Sequence, residues 1–115
     1  MESTCFVLKL KHDEIAGYED IHKKGNTWPD VIDNIKNAGI EKMKIYLLHD
    51  YSIVYMEAVD IKKSFDYLGS QPSQIKWNEA TSRFMETQPE YGSEEVVKTL
   101  KCVFDFEKGE QREII

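Results

Sequence analysis

Tyr18 and His22 stand four residues apart, the spacing that brings two side chains to one face of a helix. A phenol and an imidazole on one wall could pass protons to a ligand, because an unperturbed imidazole titrates near about 6.5 and can give and take protons at neutrality. The same spacing also suits a packed Tyr/His contact satisfied by backbone carbonyls, and spacing alone does not separate the two. His12 and His49 fall in predicted turns and read as solvated surface residues. The two tryptophans, Trp28 and Trp77, each lie near a predicted helix start, where an indole face could stack on the C–H face of a sugar or simply fill a core.

Other chemistries lack their residues. There is no glycine-rich phosphate loop, no cluster with metal-ligand spacing and no Ser/His/Asp arrangement. No metal site is therefore expected. Cys5 and Cys102 have no paired Cys or His neighbours and read as reduced core residues. The Lys62-Lys63 and Glu94-Glu95 pairs read as solvated faces.

The elements that must position these residues are legible from periodicity. Cys5 to Lys11 alternates, with Phe6, Leu8 and Leu10 on one face, as in a half-buried strand. Asp13 offers an N-cap for a short helix carrying Ile15, Tyr18 and His22, which Lys23-Lys24-Gly25-Asn26 interrupts. A second helix restarts with Thr27 as cap and Asp30 in the box position, or with Trp28 as cap and Pro29 at the first helical residue. Val31, Ile32, Ile35 and Ala38 form its expected buried face, and Gly39 suits the left-handed residue that closes it.

Met43–Leu48 and Ser52–Val59 read as strands joined by a hairpin at His49-Asp50-Tyr51. Asp60 to Leu68 suits a short helix, Gly69-Ser70-Gln71-Pro72 a turn, and Ile75 to Met85 a helix with Trp77, Ala80 and Phe84 on one side. Pro89 to Ser93 reads as a loop, Lys98 to Phe106 as the last strand, and residues 108–115 as a flexible tail. The order strand, helix, strand, strand, helix, strand predicts an α+β fold of the ferredoxin-like split βαβ type. Its antiparallel four-stranded sheet has both helices on one face, in a single domain over residues 1–107. The bare sheet face predicts a homodimer.

Composition limits partners. Of 115 residues, 41% are hydrophobic and 31% charged, ordinary for a chain that folds as one unit. The net charge of −6 and the scattered lysines leave no basic stripe for nucleic acid. No apolar run approaches the roughly 20 residues of a membrane helix, and the N-terminus lacks a secretory pattern, so a cytoplasmic location without membrane contact is expected.

Phe6-Val7-Leu8 leading to Tyr18-x-x-x-His22, then Trp28-Pro29-Asp30, Ala38-Gly39-Ile40, Ile45-Tyr46-Leu47 and Trp77, resembles the L-rhamnose mutarotase family from about Phe6 to Phe106. The resemblance implies a dimeric α/β barrel and a cofactor-free interconversion of the anomers of a deoxyhexose. It also implies that His22 is the proton donor and that Tyr18 binds the sugar. The family's sugar-lining tryptophan pair falls on Lys76-Trp77, and its sugar-contacting tyrosine on Met43, so two aromatic positions depart from the pattern. The spacer from His22 to Trp28 is two residues longer than the family's. Such changes imply an altered pocket and leave the preferred sugar open. Two other readings remain beside this one: a non-catalytic ligand-binding domain, and a small haem-linked or cofactor-free oxygenase on the same fold with His22 as axial ligand or base.

Overall fold

The structure is a computed structural model that describes residues 1–86 and 98–114. Strand β1 (Glu2–Lys9) follows the alternation of its sequence: Phe6, Leu8 and the adjoining Leu10 are buried, while Cys5, Val7 and Lys9 on the other face are half-buried. Along its whole length β1 pairs antiparallel with β3 (Tyr51–Ala58), and β2 (Ile40–Leu48) pairs with the other edge of β3. The β2–β3 connection needs only His49 and Asp50, with His49 in the left-handed region at φ 55°. Strand β4 (Lys98–Thr99) joins β1 opposite Phe6 and Val7, giving the order β2-β3-β1-β4 with every neighbour antiparallel.

Helices α1 (Ile15–Ile21), α2 (Pro29–Asn37), α3 (Ile61–Ser70) and α4 (Pro72–Thr81) supply the other layer. One core joins Phe6, Leu8, Val54 and Met56 of the sheet to Tyr18 of α1, Leu68 of α3 and Phe84 of the 3₁₀ turn at Ser82–Phe84. The α+β class with an antiparallel sheet is thus as expected. Among the described residues no helix is long and apolar enough to cross a membrane, and no group of three or more His, Cys, Asp or Glu is placed to hold a metal ion.

Several expectations are corrected. The helix expected at Asp60 to Leu68 runs on to Ser70 with Asp60 as its cap, accepting from the Lys63 N–H at 3.1 Å, so the turn expected at 69–72 shrinks to Gln71 ahead of Pro72. Of the two caps expected for α2 the structure has Trp28 with Pro29 at the first helical residue, whereas the first helix has Glu14 rather than Asp13 at its cap position. On α2 the buried polar residue is Asn34, whose amide donates to Ser73 Oγ at 2.8 Å, while Ile32 is 53% exposed. On α4 the inward stripe is Gln74, Trp77 and Thr81, and Ala80 faces solvent.

The last strand, expected over Lys98 to Phe106, pairs only at its first two residues. Asp105–Glu107 instead forms β5 of a separate ribbon with β6 (Glu110–Arg112), so part of the stretch expected as a tail is a strand. Neither cysteine is a core residue: Cys5 is half-buried and Cys102 exposed, both as free thiols. The loop expected at Pro89 to Ser93 and the Glu94-Glu95 pair lie outside the described residues.

Candidate active site

Helix α1 is seven residues long, so its orientation depends on what packs against it rather than on its own propensity. Gly17 provides the fit: a Cβ there would stand 2.6 Å from the ring of Phe84, so only the bare backbone lets α1 lie against the 3₁₀ turn. That approach drives Tyr18 inward until 3% of it is exposed. Its hydroxyl shares a 2.6 Å hydrogen bond with Ser52 Oγ on β3, itself buried completely. Burial pushes the Tyr18 pKa above the usual tyrosine value, partly offset by the serine bond, so the phenol keeps its proton.

His22 follows as the residue that ends α1. Its Nδ1 lies 2.7 Å from the carbonyl oxygen of Tyr18, which can only accept, so Nδ1 carries the hydrogen and a neutral ring has its lone pair on Nε2. The imidazole stacks obliquely on the Tyr18 ring, centroids 4.5 Å apart, and meets Trp77 edge-on at 6.4 Å. This crowding lowers the pKa of His22 below the ordinary histidine value by desolvation, and the bond to Tyr18 partly restores it. The residue is nonetheless exposed overall, so it is packed on its rings and open beside them.

The spacer after His22 is tied back to the helix it leaves. Thr27 Oγ1 donates to the Ile21 carbonyl at 3.0 Å, an acceptor of the helix end, and Asn26 Nδ2 donates to the Asp20 carbonyl at 2.8 Å, which also accepts from the Lys23 N–H. The spacer delivers Trp28 so that its ring meets that of Trp77 at 5.1 Å and 75°. Trp77 is 8% exposed and Trp28 40%, so two indoles stand in sequence from interior to surface.

Between α1, α2, α4 and the inner face of the sheet lies a cavity of about 510 Å³, within the roughly 300–1,000 Å³ of small-molecule sites. Of the residues singled out in the sequence, Tyr18, His22, Met43 and Trp77 line it. Lys76 does not: it points away on the exposed side of α4, because one residue along a helix turns a side chain by about 100°. Met43 is half-buried opposite Met56, and it borders the cavity beside a bulge at Glu41 where β2 loses register with β3.

Sequence reasoning missed Thr27, Gln74 and Asn78, which also line the cavity, and Ser52, which anchors Tyr18. The 74/77/81 spacing of the buried stripe of α4 was a usable signal for Gln74; nothing in the sequence marked Ser52, whose role depends on strand pairing. The cavity thus combines a proton-carrying imidazole, a protonated phenol, an indole wall and amide groups, suited to a small polyhydroxylated ligand with one apolar face.

Comparison with known proteins agrees. A family model described as L-rhamnose mutarotase matches residues 3–106. An L-rhamnose mutarotase of Acidiphilium cryptum is 30% identical over 91 residues, covering 78% of this chain and 86% of that protein. An L-fucose mutarotase of Xanthomonas campestris is 34% identical over 58 residues, 49% of this chain, and the match spans 46% of that relative's length. In fold, the crystal structure of an L-rhamnose mutarotase from Formosa agariphila superposes with a TM-score of 0.74 at 19% identity, over 93% of this chain and all of that one. With nearly its whole length matched by the family model, the chain belongs to the L-rhamnose mutarotase family.

Proposed function

We propose that this protein is a sugar mutarotase that interconverts the anomers of a deoxyhexose of the L-rhamnose or L-fucose kind, with His22 carrying the proton. The family match supports the reaction class, and the hydrogen-bonding of His22 supports the residue: Nδ1 is held by the Tyr18 carbonyl, which leaves Nε2 for chemistry at the cavity.

Anomer exchange requires the anomeric hydroxyl to lose a proton, the bond from C1 to the ring oxygen to break, and the ring oxygen to gain a proton. Neutral His22 takes the first proton on Nε2. The imidazolium, steadied by its Nδ1–H donation, returns that proton to the ring oxygen, giving the open aldehyde and a neutral histidine. Rotation about the bond from C1 to C2 and the reverse steps give the other anomer. His22 thus works as the acid that the family implies, charged by first working as the base. Tyr18 stays protonated and holds His22 and sugar in register, Trp77 offers its indole to the C–H face of the ring, and Met43 supplies apolar contact. Positioned acid–base transfer contributes typically about 10²–10⁴-fold, enough for a reaction that already runs slowly in water. Neither a cofactor nor a metal takes part in these steps.

We further propose a homodimer closed through the bare sheet face into the dimeric barrel of the ferredoxin-like fold. Val7, Tyr46, Leu48, Tyr51 and Ile53 share that face by strand register, and Tyr46 and Leu48 are more than half exposed in the single chain. An apolar patch of this kind fits a second copy of itself.

The deciding experiment is NMR exchange spectroscopy between the anomers of L-rhamnose and then L-fucose, with the wild-type protein and with His22→Ala. Exchange faster than in buffer that collapses in the variant is the expected result. Sugar binding without faster exchange would replace the enzyme by a binding protein.

A further inference from the structure

Gln74 lies on the inward stripe of α4, one turn before Trp77, and lines the same cavity as His22. Its side chain is 5% exposed, and its Nε2 donates to Asn78 Oδ1 at 3.1 Å, which fixes the direction of the amide. The carbonyl Oε1 has no hydrogen-bond partner, and it is the one buried side-chain nitrogen or oxygen among the described residues left in that state. The large majority of buried side-chain polar atoms in folded proteins are hydrogen-bonded, so an unpaired one calls for a cause, and a ligand that reaches it is one such cause. The neighbours that fill the rest of this wall are apolar or already bonded: Thr81 Oγ1 donates to the Trp77 carbonyl at 2.9 Å.

We infer that Gln74 is a specificity-determining residue of the proposed sugar site, whose amide oxygen accepts a hydrogen bond from one ring hydroxyl of the bound sugar. The inference rests on the mutarotase reading. With Nε2 engaged by Asn78, Oε1 is the atom of this amide left to accept from a hydroxyl that enters the cavity Gln74 lines. Trp77 lies one helical turn away, so a pyranose stacked on the indole presents its equatorial hydroxyls sideways, toward its neighbours along α4. A site that holds an acceptor for a hydroxyl discriminates against the sugar that lacks it, because the acceptor is then left buried and unpaired.

The test compares L-rhamnose with its analogues that each lack one ring hydroxyl, using wild type, Gln74→Met and Gln74→Glu. Methionine keeps the length of the side chain and removes the acceptor, whereas glutamate keeps an acceptor. Binding is read from quenching of tryptophan fluorescence and from the side-chain amide NMR signals of Gln74, and anomer exchange is followed separately. For wild type, one analogue should bind at least about ten-fold more weakly than L-rhamnose, and L-rhamnose should move the Gln74 amide signals more than that analogue does. Gln74→Met should bind L-rhamnose about ten-fold more weakly and should lose the discrimination, while Gln74→Glu keeps it. An unchanged thermal midpoint in Gln74→Met excludes a folding defect as the cause. If Gln74→Met binds L-rhamnose and every analogue with the wild-type ratios, or if the Gln74 amide signals do not move with sugar, the inference is overturned. Sugar binding that depends on Gln74 without faster anomer exchange would sink the mutarotase reading and keep the hydroxyl-reading role; faster exchange with no dependence on Gln74 would do the reverse.

Discussion

The imidazole of His22 has its protonation set by two opposing influences that the fold imposes together. Desolvation by Tyr18 and Trp77 lowers its pKa and the Tyr18 carbonyl raises it, with desolvation the larger. The neutral ring therefore prevails at pH 7 and the base step starts from the majority species. Anomer exchange should be flat through neutral and mildly alkaline pH and should fall as pH drops below the usual histidine range, about 6.5, into the depressed pKa of the folded protein. A rate that instead rises on acidification would make His22 act first as the acid. Stability carries the same sign. The unfolded chain binds a proton at this histidine before the folded one does, so folding is weakened as pH falls through about 6.5 and is untouched by His22 above it. For Tyr18→Phe, the loss of the hydroxyl leaves Ser52 Oγ buried without its 2.6 Å partner, and about 1–3 kcal/mol of stability should go with it. Chemical denaturation measures that cost. Exchange should slow less than in His22→Ala, since the phenol positions and does not carry the proton.

Short helices here owe their placement to particular contacts between elements. Gly17 is the clearest case, because its missing side chain is what lets α1 rest on Phe84. Gly17→Ala would improve helix propensity and still destabilise, as the methyl meets the Phe84 ring at 2.6 Å and forces it or the helix outward. A loss of about 1–3 kcal/mol is expected, seen as a lower thermal midpoint, together with weaker exchange because Tyr18 and His22 move with α1. A midpoint equal to or above wild type would mean that the ring simply turns aside. A similar dependence joins α2 to α4, where the Asn34 amide reaches Ser73 Oγ, and α2 to α3, where Ser64 Oγ donates to the Ala38 carbonyl at 2.7 Å. The cavity wall is thus pinned by polar contacts between helices as well as by packing.

For the molecule as a whole, the sheet has one face buried under helices and one face rich in apolar side chains. If that second face closes a dimer, Tyr46→Glu together with Leu48→Glu should convert a dimer into a monomer in sedimentation velocity, because a buried carboxylate without a partner is costly. A wild-type protein that already sediments as a monomer would remove the dimeric barrel from the proposal. The cavity lies between the helices and the inner face of the sheet, on the side opposite Tyr46 and Leu48.

Periodicity in the sequence determined the strands at Phe6, Met43 and Ser52, the pairing of the last two through a hairpin expected at His49-Asp50-Tyr51, of which Tyr51 already opens β3, and the two-layer class, because alternation and helical spacing are local signals that burial then obeys. The same local rule put Tyr18, His22 and Trp77 on inward faces, and family likeness told what they could do. It failed where burial was decided by a neighbour far along the chain. Ile32 borders the open cavity and stays 53% exposed and Ala80 faces solvent, while Asn34 and Gln74 are buried with amides that found partners across a helix pair or along the helix. Lys76, placed at the site by likeness to an aromatic position, belongs to the opposite side of α4. The strand expected after Lys98 stops after two residues, and a ribbon forms at Asp105 where alternation alone suggested continuation. Only the tertiary structure decided that Ser52 would hold the Tyr18 hydroxyl, that the Tyr18 carbonyl would fix the tautomer of His22, and that Gln74 would carry an unpaired carbonyl beside the cavity. The first joins two elements distant in the chain; the other two are contacts one helical turn long whose outcome depends on side-chain orientation and burial, which residue spacing does not encode.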